Sequence, residues 1–185
     1  MKKVAVFLAH GTEESEAIIV IDLLRRAGIA VQTVSIEADA VIHSAHDILL
    51  KADQIITNFN AEGYDLLFIP GGAKGVARMY ESAKLSQILS DFSAAGGRLG
   101  AVCAGPTVLG KLGLLEESQV TCYPGWEDRL GGAYYHNQSV VISDKAITGR
   151  SMGACIPLAL TIIQELISKE KANEIKDAIV YPYAF

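Results

Sequence analysis

Apolar and polar positions at the start of the chain follow the two periods of regular secondary structure. The run Lys3–Leu8 is short, apolar and rich in β-branched residues, and it stops before Gly11. Residues Glu13–Arg26 have helical spacing, and Gly28 closes that segment. Because Ala30–Ile36 then alternates like a strand, this stretch predicts a strand, helix, strand unit with a parallel strand pair.

The same alternation of buried strands and helical stretches continues along the chain. Residues 65–69 form an apolar run that ends at Pro70, and residues 98–102 form another. Helical patterns cover residues 151–168 and 170–178. This order is typical of an α/β protein with a doubly wound, mostly parallel sheet.

Two segments depart from the alternation. Residues 41–50 are too few for a helical crossover, so we expect a small β-hairpin beside the main sheet. Residues 131–148 read as strand, turn, strand, with the turn at residues 143–145. Both are interpreted as hairpin additions to one core, because 185 residues suit a single domain, residues 1–185.

Composition and charge favour a globular protein and disfavour two classes of partner. Half of the residues are apolar and 20% are charged, so the chain can bury a core. The net charge is −5 with dispersed Lys and Arg, which gives no cationic surface for nucleic acid or an anionic membrane. The apolar run at residues 4–9 is too short for a signal peptide, so we expect a cytoplasmic protein. The three cysteines lack the paired spacing of a disulfide framework or a metal site.

Three chemically interesting stretches follow predicted strands. They are "HGTEESE", "PGGAKG" and "CAGP", and parallel strands bring such stretches to one edge of the sheet. In "AVCAGPT", Cys103 has Ala101 and Gly105 two positions away on either side, the small neighbours that a nucleophile elbow needs. A following helix N-terminus would favour the thiolate. The alternative is that Cys103 is only a small buried side chain.

The glycines of "PGG" add a second element to the predicted site. Gly71 and Gly72 would let the backbone approach a ligand, and the N–H groups of Gly72 and Ala104 are candidate oxyanion donors. Taken alone, the two glycines are also compatible with an ordinary turn.

Four longer stretches together resemble a known family. They are "AVCAGPTVL", "FIPGGAKG", "GTEESEAIIVIDLLRRAGI" and "VTCYPGWEDRL", and the similarity to the ThiJ/PfpI superfamily runs through nearly the whole chain. The early helix points to the branch of the parkinsonism-associated protein deglycase. The resemblance implies a flavodoxin-like three-layer sandwich with helices on both faces. It also implies a homodimer with the site near the subunit interface, and no metal or organic cofactor.

The resemblance assigns roles by position. Cys103 corresponds to the family's reactive cysteine, Glu16 to the carboxyl that contacts its sulfur, and Gly72 and Ala104 to the oxyanion donors. An ionised carboxylate would repel a thiolate, whereas a protonated one can donate a hydrogen bond to it. We therefore expect Glu16 to be neutral when Cys103 is ionised. The alternative for Glu16 is an exposed acid in a first helical turn.

One position departs clearly from the family pattern. Tyr123 stands where many relatives have histidine, so no Cys-His pair forms from that position. His10 is a candidate substitute, although a solvated loop histidine is the simpler interpretation. Cys122 is a candidate second thiol or an unreactive strand residue, and Trp126 is a candidate for the entrance or the interface. His46 falls where relatives often carry an arginine at the dimer interface.

The functional hypotheses differ in what Cys103 does. The leading one is an enzyme acting on small α-oxoaldehydes or on glycated amines. The second is a redox sensor or stress chaperone with an oxidisable cysteine. A peptidase is disfavoured because Tyr123 replaces the histidine of a Cys-His pair. An amidotransferase is disfavoured because no histidine follows His136.

Overall fold

A seven-stranded sheet forms the centre of the computed structural model, which describes residues 1–185. The strands are β1 (Lys3–Leu8), β2 (Ala30–Ser35), β3 (Val41–His43), β4 (Leu49–Lys51), β5 (Gln54–Ile55), β6 (Leu66–Ile69), β7 (Arg98–Val102), β8 (Gln119–Val120), β9 (Tyr134–Tyr135), β10 (Val140–Ile142) and β11 (Ala146–Gly149). The helices are α1 (Glu14–Arg26), α2 (Ala73–Glu81), α3 (Ala83–Ala94), α4 (Pro106–Lys111), α5 (Cys155–Leu166) and α6 (Lys169–Ala178).

The main sheet has the strand order β10, β11, β7, β6, β1, β2, β5. Every pairing in it is parallel except that of β10 with β11. Chain order reverses at β1, because β2 lies on one side of it and β6 on the other. A crevice therefore opens at the carboxyl ends of β1 and β6, where ligands bind in sheets of this kind.

Side chains of β1 alternate between two hydrophobic cores, one on each face of the sheet. Val4 and Val6 belong to the core that α1, α5 and α6 cover, whereas Ala5 and Phe7 belong to the core under α2, α3 and α4. All four are fully buried. Burial on both faces explains the continuous apolar run and confirms the predicted three-layer α/β sandwich.

The two predicted hairpins are both present, but the second is part of the main sheet. Strands β3 and β4 pair antiparallel as a separate hairpin. Strand β11, in contrast, lies between β10 and β7 and is fully buried, so it completes the core instead of decorating it. Strand β9 pairs in parallel with β8 in a small sheet of its own.

The last long helix begins later than its pattern predicts. A 3₁₀ turn at Met152–Ala154 precedes α5, so the α-helix starts at Cys155 instead of residue 151. Pro157 then falls in the first helical turn, where its missing N–H has no helical partner. No helix has the length and apolar character needed to cross a membrane.

Candidate active site

Cys103 occupies a sharp turn between β7 and α4. Its φ is +62°, in the left-handed region of backbone conformation. Residues other than glycine adopt this region at a cost of about 1–3 kcal/mol. The Cys103 N–H donates to the carbonyl oxygen of Gly149 at 3.0 Å. A Cβ at Gly105 would lie 2.4 Å from the carbonyl oxygen of Ile69. The turn thus has the backbone and the small neighbour of the predicted nucleophile elbow.

Glu16 is a buried acid that faces Cys103. It lies in the first turn of α1, yet only 1% of its surface is exposed. The Gly71 N–H donates to Oε2 of Glu16 at 2.8 Å, and the Met152 N–H is a further backbone donor. The Cys103 thiol faces the same carboxyl, and each of the two groups shifts the pKa of the other. The alternative interpretation of Glu16, an exposed acid in the first turn of a helix, is therefore wrong.

Burial gives Glu16 a proton affinity suited to neutral pH. Desolvation raises its pKa to about 7, and the charge of Glu13 also raises it. The hydrogen bonds from Cys103, Gly71 and Met152 oppose this rise. The carboxyl can consequently hold or release a proton close to physiological pH.

The protonation of Cys103 depends on that of Glu16. Burial raises the pKa of the thiol above its usual value, and the negative charge of ionised Glu16 raises it further. The N–H groups of Ala104 and Gly72 lower it. The expected net lowering by the helix N-terminus is not observed, because desolvation outweighs it. When Glu16 is protonated its repulsion disappears, so a thiolate at Cys103 goes with a neutral Glu16.

The candidate oxyanion donors lie against the sulfur. The N–H groups of Gly72 and Ala104 face Cys103 and lower the pKa of its thiol. Gly72 has φ +94°, and a Cβ there would lie 2.3 Å from the carbonyl oxygen of Gly11. At Gly71 a Cβ would lie 2.4 Å from Glu16 Oε2 and 2.7 Å from the Cys103 Cβ. A Cβ at either position would overlap neighbouring atoms, so both positions require glycine.

A cavity of about 570 Å³ opens over Cys103. Its lining residues are Glu13, Glu16, His46, Gly72, Ala73, Cys103, Ala104, Tyr123, Trp126, Ser151, Met152 and Gly153. The Tyr123 N–H donates to the Cys103 carbonyl oxygen at 2.8 Å, so this residue is tied to the elbow. Glu16, Tyr123 and Trp126 thus line the same cavity as Cys103.

Two candidate residues do not line the cavity. Nδ1 of His10 accepts a hydrogen bond from the His43 N–H at 3.0 Å, which turns the ring toward the β3–β4 hairpin. Cys122 is fully buried in the hydrophobic core. Burial, together with the charge of Glu127, raises the pKa of the Cys122 thiol to about 12. Neither side chain can assist Cys103 from these positions.

Sequence reasoning did not single out Glu13 and Gly153 as cavity residues. Glu13 immediately precedes α1, three residues before Glu16, and this helical spacing was the available signal. His46, expected at a subunit interface, lines the cavity as well. Its Nδ1 lies 2.8 Å from Oε1 of Glu14. Ser151 and Met152 form part of the cavity wall.

The fold and the site together define the class of this protein. It is a doubly wound α/β protein that carries a cysteine on a nucleophile elbow, beside a buried carboxyl and two backbone N–H donors.

The chain belongs to the DJ-1/PfpI family, which matches residues 2–165. It is 33% identical over 183 residues to the Parkinson disease protein 7 homolog of Danio rerio, covering 97% of each chain. It is also 33% identical over 165 residues to the glutathione-independent glyoxalase DJR-1.2 of Caenorhabditis elegans, covering 88% of this chain and 87% of that one. The structure of oxidized DJ-1 from Toxoplasma gondii superposes with a TM-score of 0.94 at 35% identity, covering 99% and 100% of the two chains.

Proposed function

We propose that this protein is a cysteine-dependent enzyme acting on small α-oxoaldehydes or on the early adducts that these form with amines. The observation that carries the proposal is the set of contacts around Cys103 Sγ: the Glu16 carboxyl and the N–H groups of Gly72 and Ala104. These are the groups that addition of a thiol to a carbonyl requires. The similarity to a relative named as a glyoxalase supports the same chemistry.

The first step moves one proton and forms one bond. Glu16 as carboxylate accepts the thiol proton of Cys103 while the sulfur attacks the aldehyde carbon. The carbonyl electron pair goes to oxygen, where the Gly72 and Ala104 N–H groups stabilise the developing charge. Neutral Glu16 then returns the proton to that oxygen, giving a hemithioacetal.

Rearrangement and hydrolysis complete the reaction without a cofactor. Glu16 takes the proton from the former aldehyde carbon, and the ketone oxygen takes up the hydroxyl proton of the hemithioacetal as the electrons shift toward it. Glu16 then returns its proton to the former ketone carbon, which leaves a 2-hydroxy thioester on Cys103. Water cleaves the thioester and restores the thiol. Methylglyoxal would yield lactate and glyoxal would yield glycolate. A carboxyl with pKa about 7 suits each of these transfers near neutral pH.

The test is lactate production from methylglyoxal by the wild type and by Cys103→Ala, with Tris and added thiols excluded. We expect Cys103→Ala to lose the activity. Cys122→Ala is the matched control, because that thiol lies outside the cavity, and it should retain activity. Equal rates for the wild type and Cys103→Ala would overturn the proposal.

A redox function of the same thiol is the second candidate. The donors that would stabilise an alkoxide could also hold the oxygens of a sulfinate, and one similar structure is that of an oxidized DJ-1. Two equivalents of peroxide would each transfer one oxygen to Cys103. Mass spectrometry after mild peroxide treatment distinguishes a redox sensor from an aldehyde enzyme. A gain of two oxygens at Cys103 in a protein without aldehyde turnover favours the redox sensor.

We also propose that two copies of the chain assemble as a homodimer. Exposed apolar side chains on the β3–β4 hairpin and on α1 support this, among them Ile18, Ile48 and Leu49, which are 45%, 50% and 61% exposed. Light scattering of the wild type and of Leu49→Glu tests the proposal. A wild-type mass of one chain would contradict it.

A further inference from the structure

Three potential metal ligands lie at the edge of the cavity, and the proposed aldehyde chemistry does not use them. Glu13 and Glu14 are at the start of α1, and His46 is in the turn between β3 and β4. His46 Nδ1 lies 2.8 Å from Glu14 Oε1 and 3.6 Å from Glu13 Oε2. One ligand atom of each residue lies within 4.8 Å of the other two. The hairpin thus brings an imidazole to two carboxylates more than thirty residues away.

The separations suit a small tetrahedral cation. With metal–ligand bonds of about 2.0–2.2 Å, two ligand atoms of tetrahedral Zn²⁺ lie about 3.3–3.6 Å apart. The 3.6 Å distance from His46 to Glu13 lies at the upper end of that range and the 2.8 Å distance to Glu14 lies below it, so small side-chain rotations would bring both carboxylates into coordination. An imidazole with two carboxylates is a ligand set for zinc or similar first-row ions, whereas Mg²⁺ and Ca²⁺ prefer oxygen alone.

Glu14 supplies a second, independent observation. The residue is only 6% exposed, and its Oε2 atom is buried without a hydrogen-bond partner. A buried anionic oxygen that lacks a donor is stabilised by a cation beside it.

We propose that Glu13, Glu14 and His46 bind one zinc-class divalent cation at the mouth of the cavity. Glu13 and His46 both line the cavity that contains Cys103, so the fourth coordination position opens toward it. The bound ion would present a positive charge and an exchangeable water to the oxygen of a small ligand entering the cavity. This site is separate from the thiol chemistry and does not depend on it.

The test is a titration of the metal alone, Zn²⁺ and then Co²⁺, into the Cys103→Ser variant, which excludes the cavity thiol as a ligand. Calorimetry gives the stoichiometry, and fluorescence of Trp126, the single tryptophan, reports an ion at the cavity it lines. We expect one ion per chain and a Co²⁺ absorption spectrum of a four-coordinate ion. Adding Glu14→Gln or His46→Asn should weaken binding at least about tenfold.

The matched control is His136→Asn, because His136 donates to Gln119 on the small β8–β9 sheet and is remote from the cluster. That variant should bind zinc like its parent. Metal-free thermal unfolding checks the fold of each variant. His46 is 70% exposed, so His46→Asn keeps the test decisive even if Glu14→Gln unfolds. No saturable binding in Cys103→Ser, or equal affinity in Cys103→Ser with and without His46→Asn, would overturn the proposal.

Discussion

The Gly71 N–H donates a 2.8 Å hydrogen bond to Oε2 of Glu16, joining the turn after β6 to the first turn of α1. A second bond in the same place, from the Glu13 N–H to the Gly71 carbonyl oxygen at 3.0 Å, holds the two segments together. Glu16 is thereby fixed against Cys103 and away from water. Its raised pKa is a consequence of this packing.

The first prediction concerns the pH dependence of activity. Because Glu16 must be ionised to accept the thiol proton, kcat/KM for methylglyoxal should rise with pH through an inflection near 7. Glu16→Gln should lower kcat/KM at least about a hundredfold, the usual contribution of a general base. Rates measured between pH 5.5 and 9 check this. An unchanged inflection in Glu16→Gln would show that another group carries the proton.

The second prediction concerns stability. In the unfolded chain Glu16 loses its proton near its ordinary pKa of 4.5, whereas in the folded protein it keeps the proton to about 7. The unfolded state therefore binds fewer protons between these values, and the free energy of unfolding falls as pH rises through that window. The Glu16 contribution to this fall is about 3 kcal/mol.

Urea unfolding of the wild type and Glu16→Gln at pH 4.5 and pH 8 measures that difference. The variant lacks the titrating group, so its stability should fall less across the interval. Glu62→Gln removes an exposed carboxyl and is the control that should behave like the wild type. Parallel curves for the wild type and Glu16→Gln would contradict the assigned pKa.

A third prediction contrasts two glycines near Cys103. A Cβ at Gly71 would lie 2.4 Å from Glu16 Oε2, so Gly71→Ala must displace the carboxyl. At Gly153, which also lines the cavity, the nearest atom would be 4.0 Å away. Gly71→Ala should reduce kcat at least about a hundredfold, because displacements of about 1 Å have effects of that size. Gly153→Ala should stay within about twofold. Equal effects of the two substitutions would exclude a positioning role for Gly71.

The elbow could be predicted from sequence because its requirements are local. An apolar strand ends at Val102, and small residues flank Cys103, so the turn follows from nearby side chains. The burial of Glu16 is different in kind. Nothing in the local sequence at the start of α1 distinguishes Glu16 from Glu13. Only the packing of Gly71, from a turn distant in the sequence, distinguishes the buried Glu16 from Glu13.

Three other features depended on tertiary packing in the same way. Strand β11 has the pattern of a hairpin strand, and only its place beside β7 makes it a core strand. The orientation of the His10 ring depends on the β3–β4 hairpin, whose His43 N–H donates to its Nδ1. The thiol of Cys103 illustrates competition between effects, because a local helix terminus favours ionisation while burial of the whole site opposes it more strongly.

The last prediction addresses Tyr123, which lines the cavity beside Cys103. Its contact with the elbow is a backbone one, from its N–H to the Cys103 carbonyl oxygen, and its side chain is 47% exposed at the cavity wall. Tyr123→Phe keeps that N–H and the ring but removes the hydroxyl. If Glu16 alone moves the proton, kcat should change by less than about twofold and the pH inflection should not move.

Tyr134→Phe is the control for this experiment, because Tyr134 is an exposed tyrosine on β9 outside the cavity. Steady-state rates of the wild type and the two variants at several pH values provide the comparison. A tenfold loss confined to Tyr123→Phe would identify the phenol as a proton donor. Retained activity would mean that the buried Glu16 and Cys103 pair accounts for catalysis without a proton donor at position 123.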